Sequence, residues 1–93
     1  MNKSISARVR DGIALLGDRI SEIDIEKLDV VDFVKCPLGQ IFGSFWLGRQ
    51  ELDIRPDEYG FDPYVGEPRE NPNIWEELNI EWKHQLRELL TPA

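Results

Sequence analysis

Ninety-three residues suffice for one small domain with a modest core, and hydrophobic content of 41% with three Trp and four Phe supports a folded chain over a disordered one. Acids outnumber bases 18 to 11, and the net charge of −7 opposes general attraction to DNA, RNA or anionic lipid. The single cysteine excludes an internal disulfide and a cysteine-based metal cluster.

The charge is unevenly placed. Residues 1–50 are balanced, residues 51–81 carry ten acids against Arg55 and Arg69, and the remainder is weakly basic. MNKSISARVR lacks the apolar core of a signal peptide, and the chain has no apolar run long enough for a membrane span, so a cytoplasmic location is expected.

In chain order, Val9, Ile13, Leu16 and Ile20 share one face of a helix expected from Ser6 to about Arg19, with Ser4 or Ser6 as cap and Gly12 and Gly17 as weak points. Asp24 to Leu28 has the pattern of one capped turn. Val30 to Val34 reads as either a short extended segment or an irregular connection.

Residues 36–52, CPLGQIFGSFWLGRQEL, are apolar round most of a helical circumference, interrupted mainly by Gln40 and Ser44. Such a helix belongs inside a fold or at an interface. Pro37 suits the first helical position, and the helix is expected to continue to Leu52, with Gly48 as a weak point. Gly39 and Gly43 form a G-x-x-x-G spacing, read as close approach to a bulky neighbour such as Trp75 or Trp82, or as the seam of a homodimer.

Residues 53–72 hold Pro56, Pro63, Pro68 and Pro72 together with Gly60 and Gly66. They predict a long loop with a turn at Gly60-Phe61-Asp62-Pro63, stapled to the helices by Tyr59, Phe61 and Tyr64. The last helix is expected to start at Asn71 or Asn73, with Glu76 in capping-box register, and to stop at Thr91-Pro92. Its stripe reads Trp75, Leu78, Trp82, Leu86 and Leu89, and its basic end reads Lys83, His84 and Arg87. The expected fold is mainly α: one domain over residues 1–93, about three helices around a central, nearly all-apolar one, and a long ordered Pro-rich loop.

Cys36 precedes a helix start, where exposed N–H groups favour a thiolate, so a thiol-dependent enzyme or redox sensor is one alternative. Free cysteine is also among the most buried residue types, and the only histidine, His84, lies on another helix, which favours a packing role. Glu76 and Glu77 are adjacent on a helix and point apart, so they make a poor acid–base dyad. The sequence lacks a calcium loop, P-loop, dinucleotide fingerprint and nucleophile elbow, and neither a catalytic residue nor a cofactor or metal is expected.

The strongest functional feature is the acidic block with its aromatics, from Glu51 to Glu81. Candidate partner-binding residues are Asp57, Glu58, Tyr59, Asp62, Tyr64, Glu67, Glu70, Glu76 and Glu77, since aromatic anchors within a charged rim fit interface anatomy. The implied partner is a protein with a basic surface. Cys36-Pro-Leu-Gly-Gln40, Gly43, Tyr59-Gly-Phe-Asp62 and Trp82 resemble small uncharacterised proteins of actinobacteria and their phages, over about residues 20–87. Those proteins pair a C-x-L-G-Q segment with a later G-F-D and a C-terminal helix bearing an aromatic. The resemblance implies a phage or mobile-element setting and nothing catalytic, which favours a small non-enzymatic protein that modulates or inhibits another. The acidic aromatic surface itself suggests the route: blocking a host or defence protein whose normal ligand is nucleic acid, by charge mimicry. A structural homo-oligomeric subunit is a further alternative.

Overall fold

The computed structural model describes residues 3–64 and 67–90. Helix α1, Ile5–Leu16, starts where the Ser4 hydroxyl accepts the Ala7 N–H and stops at Gly17, whose φ of 58° ends the helical path. It buries Val9, Ile13 and Leu16, as its spacing predicts, and also Arg8 and Gly12. The two glycines are therefore not equivalent weak points. Gly17 terminates the helix in open space, whereas Gly12 lets α1 approach the Tyr59 carbonyl and the Trp82 indole.

Residues 17–36 form no strand. Two 3₁₀ turns, Gly17–Glu22 and Ile25–Lys27, lead into an irregular connection whose backbone groups are satisfied by side chains. The Asp24 carboxylate caps the second turn through Glu26 N–H, as predicted for that capped segment. Gln40 accepts the Asp24 N–H at 2.6 Å and donates to the Lys35 carbonyl at 2.9 Å. Asn79 accepts the Val30 N–H at 2.6 Å. Asp32 accepts the N–H groups of Val34 and Lys35, and those bonds hold its carboxyl below the usual range. Backbone groups with such partners need no ladder.

The single helix expected over residues 37–52 is instead two: α2, Pro37–Phe42, and α3, Phe45–Leu52. Gly43, at φ 100°, returns its N–H to the Gly39 carbonyl, and the Ser44 hydroxyl then caps α3 through Leu47 N–H. The chain folds back so that α2 and α3 cover each other. Gly48 permits this, because a Cβ there would lie 2.7 Å from Leu38 Cβ and 2.8 Å from the Phe42 ring. Gly39 instead lies against the carbonyls of Phe33 and Val34. The G-x-x-x-G spacing therefore makes no helix-pairing face against Trp75 or Trp82, and its two glycines have different tasks.

After α3 comes a 3₁₀ turn, Pro56–Tyr59, closed by Gly60 at φ 75°, and then the single helical turn α4, Glu67–Glu70. The segment expected as one long loop thus contains two short helical pieces; Gly66 and the Thr91-Pro92 stop lie outside the described residues. Helix α5, Ile74–Leu90, follows Asn71, whose side chain accepts the Asn73 N–H and donates to Glu77 rather than leaving the start to a Glu76 capping box. It buries Ile74, Leu78, Trp82 and Leu86, a stripe rotated from the predicted one: Trp75 is half-buried and Leu89 is exposed.

Trp82 is the hub of the core. It is fully buried, donates to the Gly60 carbonyl at 2.7 Å, stacks on Phe61 at 5.3 Å between centroids, and meets Gly12 across the α1–α5 contact. The Gly12→Ala variant is expected to lose about 3 kcal/mol of stability by overpacking this contact, and Gly17→Ala roughly 1–3 kcal/mol from a backbone conformation, φ 58° and ψ −133°, that only glycine adopts readily. Urea titration reads both; a Gly12→Ala protein as stable as wild type, or more stable by the ~1 kcal/mol that an unobstructed helix glycine yields, would contradict the close contact.

Candidate functional site

The two exposed aromatic residues among the described ones, Phe33 and Trp46, meet where the irregular segment joins α3. Phe45 N–H donates to the Phe33 carbonyl at 2.7 Å, which sets Phe33 beside the start of α3. The rings of Phe33, Phe45 and Trp46 then form a cluster with centroid separations of 5.1–6.0 Å, the Phe45–Trp46 pair edge-to-face. Phe45 is buried, but Phe33 and Trp46 are 56% and 55% exposed, and Val31 and Val34 are exposed with them. Burial of such side chains is worth roughly 1.5–3 kcal/mol each, so Val31, Phe33 and Trp46, which line one groove, leave an appreciable hydrophobic contribution unspent at the surface.

A groove of about 370 Å³ runs beneath these rings, walled by Val30, Val31, Phe33, Phe45, Trp46, Phe61 and Trp75, with Asp62 as its charged residue. A second cavity of about 260 Å³ shares Phe45, Trp46 and Asp62 and adds Arg49, Arg55 and Asp57. Burial pushes the Asp62 carboxyl up, the Asp57 carboxylate adds to that, and Arg49 opposes it.

The predicted binding residues divide into an inner and an outer set. Glu67 faces inward: its two oxygens take the Arg8 guanidinium at 2.9 and 3.3 Å, and one also accepts the Tyr64 N–H at 2.7 Å. Tyr64 lies with its ring 4.3 Å from the same guanidinium. Asp57 is buried and takes Arg55 at 2.9 Å, while its other oxygen has no partner among the described residues. Tyr59 packs against the core with Lys3 over its ring. Tyr59, Tyr64 and Glu67 therefore hold the loop to α1, the Asp57 carboxylate is tied to Arg55 within the loop, and only part of the predicted acidic surface is free. Glu58 shares Arg55, and Glu70, Glu76 and Glu77 are exposed. Asp62 joins the aromatic groove.

Phe33 and Trp46 escaped the sequence reading, which assigned both to buried or connecting segments. The Gly43-Ser44 pair was the available signal, since a helix-ending glycine followed by an N-cap serine turns Trp46 outward. Arg8 also escaped it, because an arginine beside Val9 ordinarily reads as a solvent-facing flank.

Cys36 is 1% exposed, accepts the Gly39 N–H and donates to the Phe33 carbonyl. Burial pushes its thiol up, the opposite of an activated nucleophile. His84 is exposed and lies 3.3 Å from Glu88 on the same helix. Among the described residues no group of three or more His, Cys, Asp or Glu side chains could hold a metal ion, and no helix is long and apolar enough to cross a membrane. No protein-family model, curated protein or solved structure matches the chain.

Removing one partner of a buried ion pair leaves the other uncompensated. The Glu67→Ala variant is expected to lose about 3 kcal/mol, and adding Arg8→Met should recover more than half of it, as read by urea denaturation. Asp62 has the opposite sign. Its native carboxyl holds a proton more readily than the unfolded one, so it weakens folding at neutral pH, and that penalty fades as pH falls toward 3.8. Accordingly Asp62→Asn should raise Tm at pH 7, with a gain that shrinks on acidification; a fall in Tm at pH 7 would refute this.

Proposed function

We propose that this chain is a non-enzymatic protein-binding module that docks its exposed aromatic patch on another protein and so modulates or inhibits it. The observation that carries the reading is the Phe33–Trp46 pair, exposed together with Val31 over an aromatic-walled groove. Exposed apolar side chains gathered in one patch, with polar groups at the rim, are the usual anatomy of a binding surface. Aromatic anchors of this kind carry most of the affinity where they are found.

The acidic side chains shape the choice of partner. Glu58, Glu70, Glu76 and Glu77 belong to the stretch from 51 to 81 that carries most of the net charge of −7, and they stay at the surface. Such a field speeds encounter with a basic protein surface and repels acidic ones. A basic surface that otherwise holds nucleic acid is a fitting target, and the resemblance to phage and actinobacterial proteins suits a host or defence protein in that place.

The test is affinity capture from the source cells, with wild type compared against Trp46→Ala and Phe33→Ser by quantitative mass spectrometry. A genuine partner should be captured by wild type and depleted at least about 30-fold by either variant, while Tm stays close to wild type. With the partner purified, Lys replacements at Glu58, Glu70, Glu76 and Glu77 together should slow association about tenfold at low salt and leave dissociation nearly unchanged. Capture of the same proteins at the same level by wild type and Trp46→Ala would refute the module.

A further inference from the structure

Asp62 is out of place in the groove it lines. The walls that meet there are Phe33, Phe45, Trp46, Phe61 and Trp75, and Asp62 is the one charged side chain among them. The residue is half-buried, and Arg55, which lines the neighbouring cavity with it, is already committed: it lies 2.9 Å from Asp57 and 3.7 Å from Glu58. Arg49 lines the neighbouring cavity and forms no ion pair among the described residues. Asp62 likewise makes no hydrogen bond or ion pair among them. A half-buried carboxylate with no donor from the described residues is partly desolvated at some cost, and Asp57 beside it adds further negative charge that Arg49 only partly offsets.

The surroundings select the kind of donor that suits this carboxylate. Aromatic faces are negative, so a groove of rings around a carboxylate attracts a cation and rejects an anion. A free metal ion would want several oxygen ligands, which the rings do not supply. A long basic side chain suits both parts, its methylene stem lying along the rings and its charged head reaching the carboxylate. A second copy of this chain fits poorly, because each copy carries a net charge of −7. We propose that the groove takes one lysine or arginine side chain of a basic protein partner, with Asp62 as the residue that pairs with its charge. The proposal rests on the protein-binding reading and specifies the side chain that the site admits.

The experiment titrates isotopically labelled protein with capped Gly-Gly-Lys-Gly-Gly and its Arg, norleucine and Glu counterparts, following the indole N–H signals of Trp46 and Trp75 by NMR. The Lys and Arg peptides should give saturable shifts, with norleucine at least about tenfold weaker and Glu silent. Asp62→Asn should weaken the Lys peptide about tenfold with Tm no lower than wild type, and Arg49→Gln should strengthen it. Norleucine binding as tightly as Lys, an undiminished Asp62→Asn protein, or the absence of a saturable shift with either cationic peptide would overturn the proposal. The binding-module reading fails by a different result, the capture of the same proteins by wild type and Trp46→Ala. A norleucine preference combined with a partner lost on Trp46→Ala therefore removes the cation and keeps the module.

Discussion

Three parts of the chain meet at Trp82, and their meeting places nearly everything else. The indole is fully buried, bonded through its N–H to the Gly60 carbonyl, stacked on Phe61 and seated against Gly12. A tryptophan of this kind offers a large apolar area and one donor that must be satisfied. Satisfying it requires the carbonyl of a loop residue, so the Pro-rich segment cannot drift from α5. Seating the ring requires a residue without Cβ on α1, which is why Gly12 sits in a helix at some loss of propensity. Gly60, in turn, needs its positive φ and its close approach to Val9. One side chain thereby connects α1, the loop and α5 in a chain too short for a large core.

The loop has a second tie in the Arg8 guanidinium, which takes both oxygens of Glu67 and faces the Tyr64 ring. Charge that looks like surface in composition is here used internally. The acidic block thus serves two ends: part of it anchors the segment that carries it, and the rest remains at the surface as a field. Both follow from one arginine on the buried side of α1.

The break at Gly43-Ser44 does for the other half of the molecule what Trp82 does for the core. A continuous apolar helix over residues 37–52 would need cover on all sides, which is hard for the rest of a 93-residue chain to supply. Folding back at Gly43 lets α2 and α3 cover each other across Gly48, and it leaves Trp46 and Leu47 on the outside. The Phe33 carbonyl, bonded to Phe45 N–H at the head of α3, brings a second exposed aromatic alongside. The candidate site is therefore a product of the helix break, and Phe61 and Asp62 reach it from the segment that Trp82 holds in place.

Much of the local structure was legible from residue types and spacings. Val9, Ile13 and Leu16 marked the buried face of α1, Pro37 and Asp24 marked starts, and Leu78, Trp82 and Leu86 marked the core of α5, because capping and helical periodicity act within a few residues. The mainly α class followed from those signals. Other features needed distant partners. Whether Gly12 was a weak point or a contact depended on Trp82, seventy positions away in the chain, and whether Glu67 faced solvent depended on Arg8. The division of residues 37–52 turned on what could cover an apolar surface, a property of the whole packing. By itself the sequence determined helices, caps and net charge, all short-range or additive quantities. Only the tertiary structure decided which acids were spent inside and which aromatics stayed outside, because burial is settled by neighbours that the chain brings together from afar.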